Sequence, residues 1–147
     1  MRREKGFTLI EIIVSITLMA ILMAVAVPDL WKSYGHYKLE AAARRLASDI
    51  RAVQQRAVSE EQAEPAYRIV FNPFTDSYRV RLALNTLETI EMPPGIEIES
   101  VNLHNHSVTF TAKGSPIPAG TIVITNHWER REVRIVPVTG RVRIYAQ

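Results

Sequence analysis

A chain of 147 residues suits one domain with a modest core, and the absence of cysteine excludes disulfides, thiolate metal sites and a cysteine nucleophile. The formal charge of +3 is mostly local. Arg2, Arg3 and Lys5 against Glu4 put +2 in the first six residues and leave +1 for the rest, which excludes a globally basic, nucleic-acid-type surface.

Behind these basic residues lies the most apolar stretch of the chain. Phe7 to Val27 is a run of 21 residues whose single charge is Glu11 and whose other polar members are Thr8, Ser15 and Thr17. As a helix it spans about 31 Å, the thickness of a bilayer hydrocarbon core. The preceding cations predict a cytoplasmic N-terminus and a translocated remainder. A secretory signal peptide has a shorter apolar core followed by a small-residue cleavage site, whereas this pattern continues past Pro28. A plain signal anchor accounts for the hydrophobicity but not for a carboxylate inside it. An ionisable group at that depth is costly and marks function.

Pro28 lacks an N–H and is expected to kink the helix, which then resumes to about Glu61. Leu39, Ala43, Leu46, Ile50, Val53 and Ala57 recur at steps of three and four, the stripe of an amphipathic helix laid on a sheet. Arg44, Arg45, Arg51 and Arg56, among Glu40 and Asp49, read as its solvated face.

After Glu64-Pro65 the period changes to two. Tyr67–Phe71 and Tyr78–Leu84 are predicted strands joined by the Asn72–Asp76 loop, and Pro93-Pro94-Gly95 is a turn. Ile96 and Ile98, then Val101 and Leu103, predict a strand with a phase slip, the signature of a bulge. Val108, Phe110 and Ala112 alternate, and Lys113 to Pro116 break that strand. Thr121–Thr125, Glu132–Val138 and Arg141–Tyr145 supply three more. The expected fold class is α+β, a long, kinked, hydrophobic N-terminal helix packed on a C-terminal antiparallel β domain.

Catalysis is not expected, because no P-loop, GxSxG, HExxH or dinucleotide fingerprint is present. His104 and His106 share a strand face by period, but no third ligand stands at a recognisable spacing. They read as exposed edge histidines, with no metal and no cofactor. From Trp128 to Gln147, Arg130, Arg131, Arg134, Arg141 and Arg143 face only Glu129 and Glu132, a local balance of +3 beside Trp128 and Tyr145. Arginines next to aromatics suit phosphate and base contacts. The plainer account is a solvent-facing edge strand with Val142 and Ile144 inward.

Met1 to Glu11, MRREKG-FTLIE, closely resembles the leader of type IV prepilins and type II secretion pseudopilins. The resemblance implies cleavage after Gly6 by a prepilin peptidase and N-methylation of the new first residue, Phe7. It implies that Glu11 pairs with the amino-terminal charge of a neighbouring subunit during assembly, and it matches Pro28 to the family's helix-kinking proline. Phe110-Thr111-Ala112-Lys113-Gly114-Ser115-Pro116, Gly120 to Ile124 and Val138 to Ile144 resemble minor pseudopilins of the GspH/FimT group. The lack of a C-terminal cysteine pair departs from many major pilins and favours a minor role. Gly140-Arg141-Val142-Arg143 also resembles the GRxR motif of DNA-binding FimT-like minor pilins, which makes Arg141, Arg143 and Arg134 candidate DNA contacts. The implied organisation is a leader at 1–6, a transmembrane and assembly helix at 7–27, its amphipathic continuation at 28–64 and a β domain at 65–147. The implied protein is a minor pilin or pseudopilin, a structural subunit of a type II secretion pseudopilus or type IV pilus. The alternative is a DNA-binding minor pilin of a DNA-uptake machine. Expected partners are the peptidase, other pilins, the inner membrane and, for the alternative, DNA. The expected location is a single pass of the inner membrane with an exported C-terminal domain, then a filament.

Overall fold

The helix that the apolar pattern calls for is α1, Leu9–Ser59, in a computed structural model that describes residues 6–60 and 67–146. The basic leader residues Arg2, Arg3 and Lys5 and the Glu64-Pro65 break lie outside the described residues. The chain divides into two units, 1–34 and 35–147.

In the first unit, α1 opens on a reciprocal capping box. Thr8 Oγ1 accepts from the Glu11 N–H at 3.3 Å, and Glu11 Oε2 accepts from the Thr8 N–H and hydroxyl, each at 2.9 Å. Ser15 and Thr17 return their hydroxyls to the carbonyls of Glu11 and Ile13, so the run's polar side chains are satisfied within the helix. Phe7, Leu9, Ile10, Ile16, Leu18 and Leu22 are all exposed. Helical backbone continues through residue 28. Among the described residues no single helix is long and apolar enough by itself to cross a membrane; Leu9–Ala24 and Asp29–Ser59 meet that condition only together.

In the second unit α1 carries the core. All six predicted stripe residues are buried, joined by Ala42 and Ala47, which widen the stripe to suit a broad sheet surface. One five-stranded sheet comprises β1 (Tyr67–Asn72), β2 (Ser77–Leu82), β3 (Asn85–Glu91), β5 (Ser107–Phe110) and β6 (Pro116–Ile117), in the order β3-β2-β1-β5-β6. The other has four strands, β4 (Glu97–Asn102), β7 (Gly120–Thr125), β8 (Arg130–Ile135) and β9 (Val142–Ala146), in the order β4-β7-β8-β9. All pairings are antiparallel. The inward residues Ile69, Phe71, Tyr78, Ile122, Ile124, Val133 and Ile135 join the helix stripe in one core. Burying each such side chain contributes about 1.5–3 kcal/mol, which stands in for the missing cross-links.

The expected phase slip is a register shift between Ile98 and Ser100 on β4. Four expectations are corrected. β3 was not anticipated; as a sheet edge it buries only Ile90, so it shows no alternation. β2 stops at Leu82, because Ala83, at φ 53°, begins the turn into β3. β8 runs from Arg130 to Ile135 rather than from Glu132 to Val138, since Pro137 lacks an N–H and Val138 has a φ of 69°. His104 and His106 do not share a strand face. They sit in a 3-10 turn in which Asn105 and His106 both have left-handed backbone, at φ 52° and 47°.

Candidate functional site

Two groups of residues carry the expected function, one at each end of the chain. At the N-terminal end, no atom of the described residues beyond its chain neighbours lies within 4 Å of where a Cβ at Gly6 would be, and Phe7 beside it is 85% exposed. Glu11 lies one helical turn on, held by Thr8. This capping role is legible in the sequence as Thr-x-x-Glu, Thr8 to Glu11.

At the C-terminal end the five arginines separate into different roles. Arg130 pairs with Glu99 at 2.7 Å. Arg131 is buried and does not belong to a surface patch. Arg134 bonds Glu132 at 3.0 Å, and its guanidinium carbon stands 4.9 Å from the centroid of the Tyr145 ring, a cation–π contact. Arg143 on β9 is the register partner of Arg134 on β8. Arg141 and Arg143 are exposed and, among the described residues, have no ion pair. β9 is the sheet edge, Val142 is buried, and Ile144 packs against the core. Of the sequence-derived candidates, Arg134 and Arg143 stand opposite one another, Arg134 against Tyr145, while Arg141 lies just before β9.

Trp128 belongs elsewhere. A Cβ at Gly35 would come within 2.7 Å of Trp128 Cζ3, so the indole rests on the bare helix backbone at that glycine. Asn126 fixes the turn. Its Oδ1 accepts from the N–H groups of Trp128 and Glu129 at 2.9 and 2.7 Å, and its Nδ2 donates to the Gly35 carbonyl at 3.0 Å.

That turn delivers Glu129 and Arg131 to the helix, an ionic clasp not visible in the sequence. Arg131 Nε donates to Glu40 Oε2 at 3.2 Å and Nη2 to Glu129 Oε2 at 3.0 Å, while His36 Nδ1 lies 2.9 Å from the same Glu129 oxygen. The bond from His36, and then Arg131, lowers the pKa of Glu129. Arg44, and then Arg131, lowers that of Glu40. Arg51 is likewise more than a solvated charge, since its Nη2 donates to the Val142 carbonyl at 3.0 Å. Among the described residues no group of three or more His, Cys, Asp or Glu side chains is arranged to hold a metal ion.

Residues 1–27 match the family model of the prokaryotic N-terminal methylation motif. The competence protein ComGD of Bacillus subtilis (strain 168) is 28% identical over 144 residues, covering 98% of this chain and 95% of that protein. The fold of this chain recurs in solved structures. The minor pseudopilin EpsH of the Vibrio cholerae type 2 secretion system superposes with a TM-score of 0.58 at 11% identity, over 74% of this chain and 97% of that one. The type IV minor pilin FimU of Pseudomonas aeruginosa (strain PAO1) superposes with a TM-score of 0.57 at 18% identity, over 76% and 90%. The chain thus pairs a segment that matches the methylation motif with the long-helix, antiparallel-sheet fold of those two proteins.

Proposed function

We propose that this chain is a minor pilin or pseudopilin, a non-catalytic subunit of a type II secretion pseudopilus or type IV pilus. The observation that carries this is the division of labour along α1. Its apolar residues from Leu9 to Met23 lie exposed, while from Leu39 to Ala57 the same helix is the core of a β domain. An apolar surface of that extent needs lipid or neighbouring helices to cover it.

In this proposal the leader 1–6 is removed after Gly6 and Phe7 is N-methylated. Residues 7–27 span the inner membrane and then pack in the filament. Pro28 loosens the helix where its continuation, 28–64, begins, and the domain 65–147 is exported. Glu11 exchanges its bond to Thr8 for the amino-terminal charge of a neighbour, which offsets part of the burial cost of both groups. Mass spectrometry of the chain co-expressed with a prepilin peptidase tests this. A mature protein beginning at methylated Phe7 is expected; an intact Met1 refutes it.

A second use on the same scaffold, DNA capture during uptake, is favoured by Arg134 standing opposite Arg143 and against Tyr145, with exposed Arg141 two positions before Arg143, and by the competence protein among the relatives. It calls for salt-dependent binding, because phosphate contacts release counterions. A gel shift at low salt that disappears in Arg141→Gln/Arg143→Gln is expected; no shift with the parent chain would sink this use.

A further inference from the structure

The five-stranded sheet holds a second basic site that neither function uses. Antiparallel register sets Arg68 on β1 directly opposite Arg81 on β2. Like charges at directly opposed positions repel. Among the described residues, neither guanidinium has a carboxylate within 4.0 Å. Arg68 donates from Nε to Thr109 Oγ1 on β5 at 3.1 Å. Arg81 donates from Nη2 to the Leu84 carbonyl at 2.7 Å, while its Nε is buried with no partner among the described residues. A buried donor left unmet is rare and calls for an acceptor.

Arg68 and Arg81 line a groove of about 360 Å³ together with His104, Ser107, Thr109 and Ile117. Among the described residues no carboxylate lines it, and each polar side chain named there can donate. The left-handed backbone at Asn105 and His106 shapes the turn that brings His104 to the rim. We propose that this groove is an oxyanion site that takes a phosphate ester. A planar carboxylate is satisfied by one guanidinium fork. Here two guanidinium groups come from neighbouring strands about 4.8 Å apart, and hydroxyls and an imidazole complete the rim, an arrangement matched to a tetrahedral group with several oxygens. The apolar wall at Ile117 gives the organic part of the ester a surface. The site lies on the other sheet from Arg141 and Arg143, so it stands independently of both functions proposed above.

The test uses the full chain, 15N-labelled, in a nonionic detergent at fixed ionic strength. It is titrated with inorganic phosphate, phenyl phosphate, acetate and oligothymidylate, following the Nε–Hε resonances of Arg68 and Arg81. Saturable shifts with phosphate, tighter with phenyl phosphate and absent with acetate, are expected. Arg81→Gln should weaken binding about tenfold, and Arg143→Gln should leave it unchanged. Arg81→Lys, which keeps the charge but loses the fork, should weaken it too and serves if the Gln variant does not fold. Oligothymidylate saturating the same resonances at much lower concentration assigns the ester to a polynucleotide backbone; parity with phenyl phosphate assigns it to a small ester. Absence of saturable shifts, equal binding of acetate, or equal loss in Arg143→Gln overturns the proposal.

Discussion

Arg131, 5% exposed at the start of β8, meets Glu40 of α1 at 3.2 Å, a contact between residues 91 positions apart. The cation is dry while its partners are partly solvated. The asymmetry decides what mutation does. Removing both carboxylates in Glu40→Gln/Glu129→Gln strands a buried charge and should destabilise the chain by about 3 kcal/mol. Arg131→Met leaves the glutamates to rehydrate and keeps the packing, so its cost should be clearly smaller. Urea unfolding in detergent measures both, and equal losses would contradict this account of the clasp.

The same carboxylates predict acid sensitivity. Arg44 and Arg131 hold Glu40, and His36 and Arg131 hold Glu129, below the ordinary 4.5. A carboxylate with a lowered folded pKa stabilises fully above its unfolded pKa. It loses that contribution as pH falls through the folded one. Stability should therefore fall below about pH 4.5, and the double Gln variant should show a flatter decline over the same window.

At the alkaline end the sign reverses. Burial, and then the 2.5 Å hydrogen bond to Asp49, raise the Tyr78 hydroxyl above its ordinary 10.0. The neutral phenol is favoured in the fold, so its contribution is complete below about pH 10 and is lost above it, as the unfolded chain ionises more readily. Tyr78→Phe should remove that alkaline loss while costing about 1 kcal/mol at neutral pH through the missing hydrogen bond. Thermal melts from pH 7 to 11 separate the two effects.

Gly35 and Trp128 give a spectroscopic test. An alanine methyl at Gly35 would lie 2.7 Å from the far edge of the indole, which can swing away. Alanine is also the better helix former by about 1 kcal/mol. Gly35→Ala should thus change stability by no more than about 1 kcal/mol while moving Trp128 into water. In a Trp31→Phe background, so that only Trp128 emits, a red-shifted emission is expected; unchanged emission would mean the indole does not rest on Gly35.

How far the sequence carried depends on which forces leave a local period. The stripe from Leu39 to Ala57 and the β4 slip were legible because burial repeats at short range along the chain. β3 was illegible because an edge strand that buries only Ile90 has no alternation to read. The histidines misled because polar alternation without apolar partners carries no information about backbone, and Asn105 and His106 are left-handed. The charge count put Arg131 on the surface with Arg141 and Arg143, since the carboxylate that pulls it inward lies on a distant helix. Arg68 and Arg81 leave no local signal for a similar reason, because only strand register brings them face to face.

Gly140 explains one residue of the Gly140-Arg141-Val142-Arg143 motif without reference to any ligand. Its φ is +64°, and a Cβ there would stand 2.3 Å from Gln54 Nε2 and 2.5 Å from the Gly114 carbonyl oxygen. Gln54 Nε2 in turn donates to the carbonyls of Gly114 and Thr139, at 2.7 and 3.1 Å, and so pins both loops to α1. Gly140→Ala should cost about 3 kcal/mol, from left-handed strain plus collision with backbone that does not yield. Adding Gln54→Ala relieves only the side-chain contact, so the double variant should remain less stable than Gln54→Ala alone. Arg141 follows immediately in the chain, so Gly140→Ala should also weaken any DNA binding that depends on this turn, whereas Arg141→Gln should weaken it without loss of stability. Urea unfolding and gel shifts on the four variants check both halves, and a Gly140→Ala chain as stable as the parent would contradict the packing argument.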